Sequence, residues 1–271
     1  MNFDIAAYPT TFLLEWQLLA GADEAVADAP SNYFLPPKPI VFDIPAQIAE
    51  LQANSPVKPA IATPLHHSPS AAMLKARELA NEAKTLAELE EAVRGFDGCL
   101  LKRTATKTVF ADGNPNAEVM LIGEAPGAQE DVQGIPFCGA SGQLLDKMLA
   151  SIGITRKENT YISNTIFWRP AGNRQPTPEE TAICLPFVEK HIALIAPKLL
   201  ILSGGTAVRT MLGNETAISR LRGKFYEYQN EYLPAPIKTA LIYHPSYLLR
   251  QPQYKKQAWQ DLLMIAGELQ D

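Results

Sequence analysis

The stretch VMLIGEAPGAQED, residues 119–131, decides the fold class of this 271-residue chain. Its first four residues, 119–122, are apolar and suit a short buried strand, which the glycine-containing loop behind them would end. Three later short runs, residues 161–163, 199–202 and 240–243, have the same form, and helical segments lie between them. This alternation predicts an α/β protein, a three-layer α/β/α core whose central sheet has four mainly parallel strands.

Polar residues stand at the end of each predicted strand. Glu124 follows the first strand, Asn164 the second and His244 the fourth, while Ser203 and Gly204 end the third. The carboxyl ends of parallel strands meet at one edge of a sheet, and ligands bind there. We therefore expect one site at this edge. Neither a phosphate-binding P-loop nor a GxGxxG fingerprint occurs, which removes the two commonest explanations by nucleotide binding.

The chain before this core has a different composition. Residues 1–27 contain an apolar stretch that predicts a short helical segment, and residues 28–70 contain nine prolines, which predicts an extended linker. Residues 71–95 are rich in Ala, Leu, Glu and Lys and predict a helix that leads into the core domain, residues 96–271. The expected architecture is thus a core with a helical and proline-rich N-terminal extension.

Composition excludes little at the level of function. The net charge is −5, but residues 96–271 carry 17 acidic and 18 basic residues, so a basic surface for nucleic acid is possible there. Three cysteines fit neither a disulfide framework nor a tetrahedral zinc site. No apolar run approaches the roughly 18 residues of a membrane span, and the amino terminus lacks signal-peptide features. We expect a cytoplasmic monomer with no membrane partner.

Four motifs in order carry a resemblance to a known family. They are Gly-Glu-Ala-Pro-Gly with Glu-Asp (123–131), Gly-x-Pro-Phe-x-Gly (134–139), Asn before Arg-Pro and Asn-Arg (164–174), and His-Pro-Ser-Tyr-Leu-Leu-Arg (244–250). With them, the chain from about residue 96 to 266 resembles the family 4 uracil-DNA glycosylases. The resemblance implies a DNA repair enzyme that flips uracil out of DNA and hydrolyses its N-glycosidic bond, releasing free uracil and leaving an abasic site.

The chemistry of three residues fits a uracil pocket. Phe137 offers a stacking surface for an extruded base. Asn164 can donate to uracil O4 and accept from N3–H, a pattern that cytosine reverses. His244 can donate to O2, where negative charge develops as uracil leaves. It is the best candidate among four histidines, because two lie in the linker and His191 is expected at the surface after a helix.

The carboxylates of the first loop complete the predicted site. The resemblance implies that Glu124 and the backbone of Ala125 contact the base and that Glu130 lies near uracil C5. We expect His244, Glu124 and Glu130 to be the catalytic residues. Which carboxylate positions the attacking water stays open, and a solvated acidic pair formed by Glu130 and Asp131 is the alternative.

DNA contacts are predicted on the same face. Leu248 and Leu249 suit a wedge that fills the space left by the flipped nucleotide, although simple packing at the start of a helix is an almost equal alternative. Basic residues and strand-end backbone groups suit phosphates. The expected DNA-binding residues are Asn173, Arg174, Ser203, Gly204, Arg220, Arg222, Lys224, Leu248, Leu249 and Arg250.

One feature departs from the family. Most members hold a four-cysteine iron–sulfur cluster, and the corresponding places here are Cys99, Lys102, Trp168 and Cys184. An ammonium group and an indole N–H have no lone pair to offer, whereas cluster iron is held by thiolates. We therefore predict that this chain binds no cluster and no other metal.

Two alternatives to a hydrolase stay open. A uracil-DNA binding module would recognise the base but turn over poorly, as one related branch does through a histidine-containing loop insert. Residues 164–174 are short and contain no histidine, which disfavours that reading. An α/β enzyme acting on a free nucleotide is the second alternative, and it would have no use for the leucine wedge.

Overall fold

The computed structural model describes residues 70–269. The predicted segments 1–27 and 28–69 lie outside the described residues. Among the described residues, no helix combines the length and apolar character needed to span a membrane.

The predicted sheet is present, but it is wider than expected. The strands are β1 (Asp112–Gly113), β2 (Val119–Gly123), β3 (Thr160–Asn164), β4 (Leu199–Ser203), β5 (Tyr226–Tyr228) and β6 (Ile237–Ile242). In the described residues they form one sheet in the order β1-β3-β2-β4-β6-β5. The inner four are parallel and are the predicted strands. The predicted total of four is wrong because two short antiparallel strands close the edges, and neither contains an apolar run.

Helices cover both faces of this sheet. They are α1 (Ala71–Glu82), α2 (Leu86–Gly95), α3 (Ala128–Gln133), α4 (Ala140–Ala150), α5 (Pro178–Ile195), α6 (Gly205–Leu212), α7 (Ile218–Leu221), α8 (Pro245–Arg250) and α9 (Lys255–Glu268). Strand side chains alternate between two cores. Met120 and Ile122 pack with α1, α2, α5 and α6, whereas Val119 and Leu121 pack with α4, α8 and α9. The predicted three-layer arrangement is therefore confirmed.

The segment 71–95 forms two helices rather than the single predicted one. Ala83 is extended and ends α1, and Thr85 begins a new helix. The Thr85 hydroxyl accepts from the Glu88 N–H at 3.2 Å, and the Glu88 carboxylate accepts from the Thr85 N–H at 3.2 Å. This capping box satisfies N–H groups at the new helix end and so favours a break over a continuous helix.

His191 lies inside α5 and has no exposed surface, so its predicted surface position is wrong. The reason is that α5 continues to Ile195 instead of ending before the histidine. Nε2 lies 3.0 Å from the Tyr161 hydroxyl, and the ring stacks on Phe110 with centroids 4.3 Å apart. Burial lowers the pKa of His191 to about 3, so the ring is neutral in the folded protein at neutral pH.

We expect His191 to reduce stability in mild acid. The unfolded chain takes up this proton near pH 6.5 and the folded chain only near pH 3, so stability falls as the pH drops through this window. Lowering the pH from 7 to 5 should reduce the free energy of unfolding by about 2 kcal/mol through this residue. Urea unfolding at both pH values measures the change. If the free energy of unfolding of His191→Gln depended on pH as strongly as that of the parent protein, the effect could not be assigned to His191.

Candidate active site

The carboxyl ends of the four parallel strands open into a cleft of about 650 Å³. Residues 124–127 line it from the loop after β2, and Asn164 lines it from the end of β3. Residues 204–206 contribute from the end of β4 and the start of α6, and residues 243, 244, 246 and 247 from the segment after β6. The predicted meeting of these loops at one edge of the sheet is confirmed.

Phe137 forms part of the wall of this cleft. Its ring centroid lies 5.5 Å from that of His244, with the planes tilted by 32°. A Cβ atom at Gly123, the last residue of β2, would lie 2.4 Å from the Phe137 ring and 2.5 Å from Asn164 Oδ1. Only glycine therefore fits beneath them. Because Gly123 has no side chain, the Phe137 ring and the Asn164 amide can both pack directly against its backbone.

Asn164 presents an unusual acceptor in the cleft. It is 2% exposed, and parallel pairing places it opposite Gly123. Its Oδ1 is buried and has no hydrogen-bond partner among residues 70–269. Buried polar atoms are nearly always paired, so this oxygen marks a place where a bound donor would complete the structure.

His244 is oriented by the residue two positions along the chain. Its Nδ1 accepts from the Ser246 backbone N–H at 3.2 Å and lies 2.7 Å from the Ser246 hydroxyl. Burial, followed by the positive charge of Arg250, lowers the pKa of His244 to about 4. The ring is thus neutral at neutral pH, and because Nδ1 is an acceptor, the single ring proton is on Nε2.

The backbone behind His244 also requires a glycine. Gly204 has a φ of +96°, and a Cβ atom there would lie 3.0 Å from His244 Cβ. A side chain at this position would push the imidazole away from its place. The Gly204 N–H donates to Ile242 O at 2.9 Å, so it is not available for the phosphate contact predicted for it.

Ser203 is likewise internal. Its side chain is fully buried, and its hydroxyl lacks a partner among the described residues. The Ser203 side chain therefore presents no surface to DNA, because the serine is still part of β4. Gly205 and Thr206 do line the cleft, at the positive end of the α6 dipole, which favours anions.

Glu130 lines the cleft, but its carboxylate is already engaged. One oxygen accepts from the Gly127 N–H at 3.1 Å and the other from the Gly139 N–H at 2.9 Å. It thereby joins the starts of α3 and α4. Asp131 is not solvated: it is 3% exposed and accepts from the Thr106 N–H at 2.7 Å. The alternative of a solvated acidic pair is therefore wrong.

The loop after β2 presents Glu124 and Ala125 to the cleft. The Thr165 hydroxyl donates to Glu124 O at 2.7 Å, and the Thr165 N–H donates to Gly123 O at 2.9 Å. These two bonds fix the backbone of the loop against β3, while the Glu124 side chain stays half-buried at the cleft. Glu124 is thus the better placed of the two predicted carboxylates to meet a ligand or a water molecule.

Two other residues predicted to contact DNA lie inside the protein. Arg222 donates to Asp261 Oδ2 at 2.7 Å and packs over the Tyr243 ring, and Asp261 is fully buried. Leu248 is 1% exposed and packs between α4 and α9. Partners distant in sequence cover most of both side chains, which disfavours the two predicted contacts. The neighbouring Leu249 is 44% exposed, so of the two predicted leucines it is the one with free surface for the wedge.

Of the other residues predicted to contact DNA, three line the cleft and two do not. Asn173, Arg174 and Arg250 line it. Arg174 already donates at 2.6 and 2.9 Å to the carboxylate that caps α5. Arg220 and Lys224 are exposed and lie outside the cleft lining.

Arg209 and Tyr247 line the cleft but were not in the predicted set. Arg209 donates to the Thr206 hydroxyl at 3.1 Å, and its three-residue spacing from Thr206 on a strand-end helix could have revealed it. Tyr247 packs against Tyr243 and Tyr254 with ring centroids 5.4 and 5.3 Å apart. No sequence pattern predicts this aromatic cluster, since its members come from separate elements.

The four cluster-ligand places do not form a thiolate set. Cys99 and Cys184 are buried, and the neighbouring Cys99 thiol together with burial raises the pKa of the Cys184 thiol well above its usual range. Lys102 donates to Asp97 Oδ1 at 2.7 Å and to a carbonyl at the end of α2. Trp168 is 1% exposed, and its N–H donates to a threonine hydroxyl at 3.0 Å. These donors do not fit an iron–sulfur cluster.

Comparisons with known proteins agree with this geometry. The model of the uracil DNA glycosylase superfamily matches residues 110–263. A type-4 uracil-DNA glycosylase of Archaeoglobus fulgidus is 38% identical over 190 residues, which are 69% of this chain and 94% of that protein. One from Thermotoga maritima is 36% identical, over 60% of this chain and 82% of that protein. Since the matched span contains every strand-end loop of the cleft, the chain belongs to the uracil DNA glycosylase superfamily.

Proposed function

We propose that this protein removes uracil from DNA by hydrolysing the N-glycosidic bond, with free uracil and an abasic site as products. The observation that carries the proposal is the buried, unpartnered Oδ1 of Asn164 in a cleft that also contains Phe137 and His244. The activity named for the relatives supports it. The cytoplasmic location stays a prediction.

Recognition rests on the uracil edge. With Oδ1 accepting from N3–H, the Asn164 amide nitrogen is placed to donate to O4. Cytosine would place its amino group against the amide nitrogen and the lone pair of its N3 against Oδ1. Both buried groups of Asn164 would then be unpaired. The Phe137 ring supplies the stacking surface that replaces the neighbouring bases.

Catalysis rests on stabilising the leaving group. When the bond between C1′ of the sugar and N1 of uracil breaks, the electron pair moves to uracil, and O2 becomes more negative. The Nε2–H of His244 is the donor for this charge, and it is held in the required tautomer by Ser246 before the substrate arrives. A neutral imidazole donates this bond without giving up its proton, because loss of that proton would leave an imidazolate anion.

The water that attacks C1′ needs an acceptor to orient it. Both oxygens of Glu130 already accept from backbone N–H groups. We therefore assign the water to Glu124 and a loop-bracing role to Glu130. As the C1′–O bond forms, the water gives one proton to the Glu124 carboxylate. The uracil anion gains a proton from solvent, to which Glu124 returns its own, so both products are neutral.

A uracil-containing oligonucleotide tests this function. After incubation with the protein, alkaline treatment cleaves the strand at abasic sites, and the products are counted per enzyme molecule. More than one turnover per molecule supports hydrolysis. Retention of the oligonucleotide without cleavage would favour the binding module, and no effect on DNA would favour an enzyme that acts on free nucleotides. Matched oligonucleotides with cytosine or thymine are the controls.

The two leucines of α8 give a matched pair of variants. Leu249→Ala should slow excision from duplex DNA by about tenfold with stability unchanged, because a side chain that fills an emptied stack is lost. The effect should be smaller on single-stranded DNA, which has no duplex stack to refill. Leu248→Ala should instead cost about 2–5 kcal/mol of stability, as core truncations do. Equal rates for Leu249→Ala and the parent on duplex DNA would exclude the wedge.

We also propose that the protein works without an iron–sulfur cluster. The proposal is supported by the groups at the four ligand positions. Two of them are the buried thiols of Cys99 and Cys184, and the other two are Lys102, paired with Asp97, and Trp168, whose N–H is already hydrogen-bonded. The protein purified under anaerobic conditions should be colourless, with substoichiometric iron and full excision activity. The double variant Lys102→Cys, Trp168→Cys supplies four thiols and is the positive control for reconstitution with iron and sulfide. Stoichiometric iron in the parent protein would overturn the proposal.

A further inference from the structure

Arg156 lies behind the wall of the cleft and does not line it. It belongs to the loop between α4 and β3, and its side chain is 14% exposed. Nothing in the substrate chemistry described above uses it. Even so, its guanidinium makes four close contacts with other residues, and two of them lead to the loop that contains the stacking ring.

These two contacts are hydrogen bonds to backbone carbonyls. Nη1 donates to Pro136 O at 2.7 Å, and Nη2 donates to Phe137 O. The carbonyl oxygens belong to the very residues that set the direction of the aromatic ring. A guanidinium is a strong donor to such oxygens because its bonds are charge-assisted.

The other two contacts fix the guanidinium itself. Nε donates to Asp146 Oδ1 of α4 at 2.7 Å, and Nη1 lies 3.1 Å from Asp112 Oδ2 of β1. A planar group held on two sides by carboxylates has little freedom to turn. Its remaining donors therefore point in a defined direction, which a lysine ammonium on a flexible stem would not reproduce.

The Phe137 loop needs such a support. Phe137 has a φ of +51°, a left-handed conformation that residues with a Cβ seldom adopt. Its carbonyl packs so closely against α4 that a Cβ atom at Gly142 would lie 1.6 Å from the carbonyl oxygen. A carbonyl turned into the protein in this way needs a donor, and Arg156 supplies it.

We propose that Arg156 is a positioning residue for uracil excision: it locks the left-handed Phe137 backbone and so holds the stacking ring at the wall of the cleft. The proposal rests on the proposed function, since it takes Phe137 to stack on the flipped base. It assigns no contact with the substrate to Arg156. Any effect of Arg156 on the reaction must therefore pass through Phe137.

A double-mutant cycle tests this dependence. Arg156→Gln should lower the single-turnover excision rate about 10-fold or more in the parent protein, but less than twofold in a Phe137→Ala background. Arg156→Lys should behave like Arg156→Gln, because the charge alone does not fix two carbonyls. Arg94→Gln, at an exposed arginine paired within α2, is the matched control and should leave the rate unchanged.

The results separate the possible failures. The proposal for Arg156 would be overturned if the parent protein excises uracil, Phe137→Ala slows this reaction and Arg156→Gln leaves the rate unchanged. Equal fold losses in both backgrounds would also overturn it, since they would mark general damage to the fold. A parent protein without activity on uracil-containing DNA would instead overturn the proposed function.

A second variant keeps the test decisive if Arg156→Gln does not fold, which circular dichroism would reveal. Asp112→Asn removes one carboxylate from the guanidinium but leaves both carbonyl bonds in place. We expect about a 3-fold slower rate for it in the parent protein and no change in the Phe137→Ala background. An unchanged rate in the parent protein, with the fold intact, would overturn the proposal.

Discussion

Replacing His244 by alanine is expected to slow single-turnover excision of uracil by about 10²- to 10³-fold, the usual cost of losing one preorganised donor to a developing oxyanion. The imidazole is neutral, and its proton is on Nε2, because Nδ1 accepts from the Ser246 N–H. The lost bond strengthens as uracil gains negative charge, so the rate should fall far more than the affinity for DNA. Rapid-quench kinetics and DNA binding by fluorescence anisotropy measure the two effects.

Ser246→Ala is the matched control for this prediction. It removes the hydroxyl 2.7 Å from Nδ1 but keeps the backbone N–H that sets the tautomer, so the rate should fall much less. The thermal midpoint of His244→Ala should stay close to that of the parent, because His244 lies at the cleft rather than in the core. A loss below tenfold for His244→Ala would remove the histidine from the mechanism.

The pH profile provides an independent check on the charge of His244. Burial and Arg250 lower its pKa to about 4, so the neutral form is present at any pH well above 4 and is lost as the pH falls through 4. The parent rate should therefore show no step near pH 6.5, where an unperturbed histidine titrates. A rate that rises as the pH falls through 6.5, with the rise absent in His244→Ala, would show that the ring acts in its charged form instead.

The strands and the cleft were predictable because they depend on local features. Apolar runs such as residues 119–122 mark buried strands, and the parallel arrangement brings their ends to one edge without any knowledge of side-chain packing. The role of Glu130 was also within reach. It stands three residues after Gly127, the spacing at which a glutamate caps the start of a helix.

The predictions that the structure disfavours concern residues whose partners are distant in sequence. Arg222 was assigned to DNA, yet its carboxylate partner, Asp261, lies 39 residues further along the chain. Leu248 and Leu249 are neighbours of the same type, and only the seating of α8 against α4 and α9 decides which of them is buried. Arg156 was missed for the same reason, since its contacts join three separate elements.

Replacing Asn164 by aspartate is expected to change which base is excised. The buried Oδ1 of Asn164 has no hydrogen-bond partner among the residues that the structure describes, so a pyrimidine N3–H can satisfy it, and the amide nitrogen then meets O4. An aspartate at this 2% exposed position would be pushed toward its protonated form by burial, and a protonated carboxyl can donate to cytosine N3 and accept from the cytosine amino group. The variant should therefore act on cytosine, which the parent rejects.

The same change should slow uracil excision by about 10- to 10²-fold, because the carboxyl must be protonated to donate to O4, and its ionised form leaves O4 unpaired at about 1–3 kcal/mol. Single-turnover rates on oligonucleotides that differ only in uracil or cytosine measure both effects. Asn164→Ala is the first control and should lose uracil activity without any gain on cytosine. Asn173→Asp, at an exposed residue of the cleft rim, is the second and should keep the parent's selectivity. Unchanged selectivity in Asn164→Asp would mean that the base is read by another group.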